Sequence, residues 1–168
     1  QVERMDDIIS HQLQRAAVSG RATLAKPVAL DKVVNRLVRT LDKVYRGKNI
    51  TVERNLDPAS SFIGDEADLT EILGNLLENA YKYCQQAVRV SAHSLDAGIE
   101  ILIEDDGPGI APEQVHAILQ RGTRMDESVP GQGIGLSMAN EIIAVYGGRL
   151  EFAASDLGGA LLRIHFDD

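Results

Sequence analysis

Asn75-Leu76-Leu77-Glu78-Asn79-Ala80-Tyr81-Lys82-Tyr83 lies within a stretch where Leu69, Ile72, Leu73, Leu76, Leu77 and Ala80 recur at three- and four-residue intervals. That spacing buries one side of a helix. Asp65, whose carboxylate can accept from the first free N–H groups, is the expected N-cap of a helix running to about Tyr83. Asn75, Asn79 and Lys82 stand four and three residues apart, so they share a face turned away from Leu76, Leu77 and Ala80. Two carboxamides and an ammonium in a row suit a hydrated Mg²⁺ and a phosphate, because the hard cation takes oxygen ligands and the ammonium offsets polyphosphate charge. Taken alone, a solvated helix face accounts for the same residues equally well.

On the C-terminal side, 87–94 and 99–105 read as antiparallel strands separated by the turn signal Asp96-Ala97-Gly98. A short helix is expected near 112–119, a second at about 135–146, and two closing strands near 149–155 and 160–166, joined by Gly158-Gly159. On the N-terminal side, Asp31 is the expected N-cap of a helix whose Val33, Val34, Leu37, Val38 and Leu41 repeat at helical spacing until Gly47. Strands at 49–54 and 61–63 flank the turn Asn55-Leu56-Asp57-Pro58, and 22–29 is an extended connection in which Pro27 belongs at a sheet edge or strand start. The elements sum to an α+β fold: a two-layer α/β sandwich, with a mixed, mostly antiparallel sheet and helices on one face.

Asp105-Asp106-Gly107-Pro108-Gly109-Ile110 follows the apolar strand Ile101-Leu102-Ile103. Asp, Gly and Pro end strands everywhere, so a plain turn is one reading. The other is that Asp105, at a strand end, accepts a hydrogen bond from the exocyclic amine of adenine while Gly107 and Gly109 let backbone approach the base or ribose. Gly131-Gln132-Gly133-Ile134-Gly135-Leu136 opens the helix at 135–146, where free N–H groups and the helix N-terminus can cradle an anion. A polar loop rather than a strand precedes these glycines, so they are not a Rossmann fingerprint, and they lack the Gly-Lys-Ser/Thr ending of a P-loop.

The composition, 44% hydrophobic and 25% charged, is that of a globular chain, and 168 residues suit one domain with an appended element. Seventeen Lys and Arg against 25 Asp and Glu give a net charge of -8, the wrong sign for neutralising phosphates, so nucleic acid is excluded as a partner. A single cysteine, Cys84, leaves no internal disulfide. Residues 1–19 carry Val2, Met5, Ile9, Leu13 and Ala16 as a narrow helical stripe, suited either to an ordinary surface helix or to a partner helix in a bundle or dimer. Gln1 in place of an initiator methionine leads to the expectation of a piece of a longer protein.

Asn-rich helix, Asp-Gly-Pro-Gly turn and glycine loop, in that order, resemble the N, G1 and G2 boxes of the histidine-kinase branch of the GHKL ATP-binding clan. The resemblance covers residues 24–166 and implies the Bergerat fold, ATP and Mg²⁺ as cofactors, and transfer of the γ-phosphate to a histidine in a preceding domain. It implies Asn79 as the main Mg²⁺ ligand with Asn75 assisting, Lys82 and Tyr83 contacting phosphates and nucleoside, and Ile110, Ile134 and Leu136 as neighbours of the nucleotide. Clan members that hydrolyse ATP carry a glutamate where this chain has Asn75. An amide cannot act as a general base, so Asn75 suits phosphotransfer. The wording of Asn75–Cys84, Glu104–Ile110, Arg121–Gly122 and Pro130–Leu136 is most similar to the PhoQ-type sensor kinases, in which Gln132 would join the metal site.

Residues 111–130 resemble the family's ATP lid, with Leu119 where a phenylalanine is common and Arg121 and Arg124 as candidate phosphate contacts. His11 lacks the family's acidic neighbour and the following Thr/Ser-Pro, so the acceptor histidine is expected upstream of Gln1 and residues 1–21 resemble the end of a dimerisation segment. Residues 22–168 would be the ATP-binding domain. The implied partners are the histidine-containing dimerisation domain of the same protein, a second copy of the full-length protein, and a response regulator. The implied location is the cytoplasmic side of a bacterial inner-membrane sensor. A clan ATPase and a non-enzymatic, nucleotide-sensing dimerisation module are the alternatives.

Overall fold

The structure, a computed structural model, describes residues 26–119 and 134–167. In chain order its elements are β1 (Pro27–Ala29), α1 (Leu30–Val44), β2 (Thr51–Leu56), β3 (Ser61–Ile63), α2 (Glu66–Tyr83), β4 (Ala87–Leu95), β5 (Gly98–Asp105), α3 (Pro112–Leu119), α4 (Ile134–Val145), β6 (Arg149–Ala154) and β7 (Ala160–Asp167). Five strands form one mixed sheet in the order β2-β4-β5-β7-β6, with β2 parallel to β4 and the other neighbours antiparallel. β1 and β3 pair with each other as a separate antiparallel ribbon. Pro27 is the first residue of β1, a position where its missing N–H is tolerated.

Alternation along the strands decides which side is covered. Val88, Val90, Ile101, Ile103, Leu162 and Ile164 are at most 2% exposed and face the helices, whose Val33, Val38, Leu73, Leu76 and Ile143 are fully buried. The opposite face of the sheet carries Arg89, Glu100, Arg163 and Glu151. The expected two-layer sandwich is therefore the observed architecture.

Local expectations change where distant partners intervene. α1 begins one residue before Asp31, with Ala29 at the cap position and no side chain capping it. Asp31 instead lies in the first turn, where a carboxylate meets the positive end of the helix dipole, and its Oδ1 accepts from Lys32 N at 2.8 Å. α1 stops at Val44, short of Gly47, and the turn Arg46–Lys48 ends on Asn49 with a left-handed φ of 53°, so β2 starts only at Thr51. β2 and β3 are not neighbours: the connection through β3 and α2 is long enough to return the chain parallel to β2.

Candidate functional site

α2 forms as expected. Asp65 Oδ1 accepts from Ala67 N (2.8 Å) and Asp68 N (3.3 Å) at its N-terminus. At its C-terminus Lys48 Nζ donates to the carbonyls of Tyr81 (2.8 Å) and Lys82 (3.0 Å), a cation placed on the negative end of the dipole. Leu76, Leu77 and Ala80 are buried, while Asn75, Asn79, Lys82 and Tyr83 are half-buried along one flank of the helix. Tyr81 turns to the other flank and donates to Asp42 Oδ1 at 2.8 Å.

α4 runs antiparallel to α2 and is tied to it at both ends. Tyr146 Oη, just past α4, donates to Asp68 Oδ2 at 2.6 Å and accepts from Asp65 N at 3.2 Å. At the other end a Cβ on Gly135 would lie 3.3 Å from Asn75 Oδ1, so the first turn of α4 rests on that carboxamide. Leu136 is buried in the core. Gly135 therefore brings the third motif to the first.

The second motif meets the opposite end of α2. Gly107 is buried and has no room for a side chain, because a Cβ there would collide with the Tyr83 carbonyl. Gly109, at φ 78°, sits where a Cβ would contact Gly159 at 3.6 Å, and Ile110 is half-buried against the core. Asp105 ends β5 and is 5% exposed. Its Oδ1 accepts from Gly107 N (2.8 Å) and Ala160 N (3.3 Å). Burial pushes the Asp105 carboxyl above its ordinary 3.8, against the pull of the Gly107 and Ala160 N–H groups.

The adjacent Asp106 has a different task. Its carboxylate accepts from Gln85 N (2.7 Å) and Gln86 N (3.1 Å), closing the turn between α2 and β4. Burial raises its pKa, but the backbone donors of Ala87, Gln86 and Gln85 outweigh that and hold it below the ordinary value. One aspartate is thus fixed by the turn, and the other keeps an oxygen, Oδ2, that accepts from no donor among the described residues.

Of the expected site residues, Asn75, Asn79, Lys82 and Tyr83 stand on α2, Asp105 at the end of β5, Gly107, Gly109 and Ile110 in the loop that follows it, and Gly135 and Leu136 at the start of α4. Ile134 is the first residue of α4. Arg121, Arg124, Gly131, Gln132 and Gly133 lie outside the described residues, as do residues 1–25 with His11. Lys48 and Gly159, both beside this site, were not singled out by sequence. Gly158-Gly159 reads locally as a turn, and only the fold shows that a Cβ on Gly159 would strike Asp105 Oδ1. Among the described residues no three His, Cys, Asp or Glu side chains cluster as a metal site. Nor is any described helix long and apolar enough to cross a membrane.

The chain belongs to the family of histidine kinase-, DNA gyrase B- and HSP90-like ATPases, whose model matches residues 64–168, and within it is the ATP-binding catalytic domain of a sensor histidine kinase. It is 45% identical over 166 residues to the two-component sensor PhoQ of Pseudomonas aeruginosa, covering 99% of this chain and 37% of that protein. It is 38% identical over 169 residues to the sensor protein PhoQ of Escherichia coli K12, covering 99% and 34%. The chain thus spans little more than a third of the curated relatives it matches. Among solved structures it is similar to the mycobacterial sensor histidine kinase MprB, with a TM-score of 0.74 and 28% identity over 84% of this chain and 97% of that one. The fold also matches full-length ShkA in complex with AMPPNP, with a TM-score of 0.75 and 22% identity over 98% of this chain and 36% of that one.

Proposed function

We propose that this chain is the phosphoryl-donor half of a two-component sensor kinase. It holds Mg²⁺-ATP and presents the γ-phosphate to a histidine in a preceding domain, and the phosphoryl group then passes to an aspartate of a response regulator. The observation that carries this reading is the convergence of three motifs along one flank of α2, with Asn75 beside Gly135 and Tyr83 beside Gly107. At ~1.5 Å of rise per residue the two ends stand about 12 Å apart, a span suited to an extended nucleoside triphosphate. The family match and the sensor relatives support it.

Within that reading Asp105 Oδ2 accepts from the adenine amine, and Gly107, Gly109 and Ile110 pack against the base and ribose. Tyr83 contacts the nucleoside and Lys82 a phosphate. The backbone of Gly131, Gly133, Ile134, Gly135 and Leu136 offers N–H groups to the phosphates, with Arg121 as a further cation. The carboxamide oxygens of Asn79 and Asn75, joined by Gln132, are hard donors of the kind a largely hydrated Mg²⁺ accepts. Bound Mg²⁺ would neutralise charge on the terminal phosphates. Asn75 takes no proton from water, so hydrolysis lacks a base and an arriving imidazole is the attacking group. Residues 1–21 belong to the end of the dimerisation segment and 22–168 to the ATP domain, with its lid at about 111–130. The whole protein is assigned as a homodimeric sensor with this domain on the cytoplasmic side of the inner membrane.

The test rejoins the chain to its acceptor domain and follows label from the γ-phosphate. Acid-labile phosphohistidine is expected, lost on Asn79→Ala. An intact acceptor that takes no label overturns the reading. Steady phosphate release by the chain alone, lost on Asn79→Ala, would make it an ATPase, and ATP-dependent association without transfer would make it a sensing module.

A further inference from the structure

Glu104 and Asp105 are consecutive on β5, so their side chains leave opposite faces of the sheet. Asp105 points to the site. Glu104 points to the otherwise open face, yet its side chain is only 8% exposed, because the β6–β7 turn folds over it. Ser155 Oγ in that turn donates to Glu104 Oε1 at 2.9 Å and accepts from Leu157 N at 3.0 Å. Arg89 Nη1 reaches Glu104 Oε2 (3.4 Å) and Asp156 Oδ1 (2.9 Å), while its Nε donates to Glu53 Oε2 (3.1 Å). The same turn closes on itself through Ser155 N to Gly159 O at 2.9 Å. On the other face it grips Asp105, with Gly159 N donating to the Asp105 carbonyl at 3.1 Å and Ala160 N to Oδ1 at 3.3 Å.

One short turn thus holds two neighbouring carboxylates from opposite sides of a sheet. Oδ1 of Asp105 is committed to Gly107 and Ala160, which leaves Oδ2 as the oxygen that would meet an adenine amine. Release of Ser155 from Glu104 would let the turn lift and take the Ala160 N–H with it, freeing the carboxylate to rotate. Neutral side-chain hydrogen bonds are weak singly, but an anionic acceptor in a buried place strengthens them.

We propose that Ser155, Glu104 and Arg89 form a latch on the open face of the sheet that fixes the Asp105 carboxylate and so sets discrimination for purines bearing a 6-amino group. They are positioning residues that touch no nucleotide. The inference rests on the reading of Asp105 as the adenine acceptor, and its test separates the two. Affinities of the chain for ATP and for purine riboside triphosphate, which lacks the amino group, are measured by displacement of a fluorescent nucleotide. Ser155→Ala should lower the ratio of the two affinities about three- to tenfold by weakening ATP alone, with Ser155→Thr restoring it. Should Ser155→Ala fail to fold, Glu104→Gln, which keeps the shape and weakens the acceptor, should lower the ratio in the same sense. An unchanged ratio in the folded variant, or equal weakening of both nucleotides, overturns the latch. If Asp105→Asn also leaves the ratio unchanged, the adenine assignment itself falls; if Asp105→Asn collapses it while Ser155→Ala does not, only the latch falls.

Discussion

The two ends of the site are built on opposite principles. At the strand end, Asp105 is buried, its Oδ1 takes two backbone donors, and glycines 107 and 159 press against it so closely that neither has room for a methyl group. At the helix end, Asn75, Asn79 and Lys82 are half-buried side chains whose placement comes from the spacing of α2 and from the contact with Gly135. A preformed acceptor suits a rigid ligand with one correct hydrogen-bonding edge. A row of longer side chains suits a metal–polyphosphate group whose position must shift as a phosphoryl group leaves.

If that contrast holds, changes at the helix end should reduce catalysis with little loss of fold, whereas changes at the strand end should divide between affinity and stability. The largest effect is expected for Asn79→Ala, which should cut phosphotransfer in the rejoined kinase on the order of 100-fold while leaving the thermal midpoint of the chain near that of the parent. Asp105→Asn should weaken ATP by about 10- to 100-fold, because the amide still accepts from Gly107 and Ala160 but turns a donor toward the adenine amine. Its fold should not suffer. The folded carboxyl is raised, so the native state holds its proton more tightly than the unfolded chain, and the parent loses stability as pH rises from 3.8 through the raised value. Above that window Asp105→Asn is expected to melt at or above the parent, and a marked drop would make Asp105 a structural residue.

Gly159→Ala should cost about 1–3 kcal/mol in denaturant unfolding and weaken ATP as well, since the added methyl must displace Asp105 or the turn. Affinity unaffected by such a change would sever the turn from the site. The smallest effect belongs to Asp106→Asn, at about 1 kcal/mol. Here the folded carboxyl is depressed, so the stabilisation is present above the ordinary 3.8 and is lost as pH falls through the lower folded value. The difference between parent and variant should therefore shrink in acid, and a pH-independent difference would contradict this account.

The helix end was legible because its signal is local. Asp65, the apolar stripe and the Asn75-Asn79-Lys82 row lie within one helix, and each follows from periodicity or capping. The position of Asp105 at a strand end was also readable. Its supports were not: Ala160 and Ser155 are more than fifty residues from Asp105 and Glu104 in sequence, and a pairing at that distance leaves no pattern in either segment. The same limit hides the parallel pairing of β2 with β4, in which Thr51 stands opposite Ala87. Local rules also failed at α1, where Asp31 looked like the cap and the chain enters the helix from β1 through Ala29.

Mounting Asn75 and Tyr83 on one uninterrupted helix has a further consequence for how the segment between them can vary. Inserting or deleting a single residue there would advance one end by ~1.5 Å and swing it about 100° around the axis relative to the other. No small adjustment of length is available, since restoring the facing takes a whole turn and overshoots the distance by about 5 Å. Whatever the exchange of one side chain does along this segment, its residue count behaves as a fixed gauge.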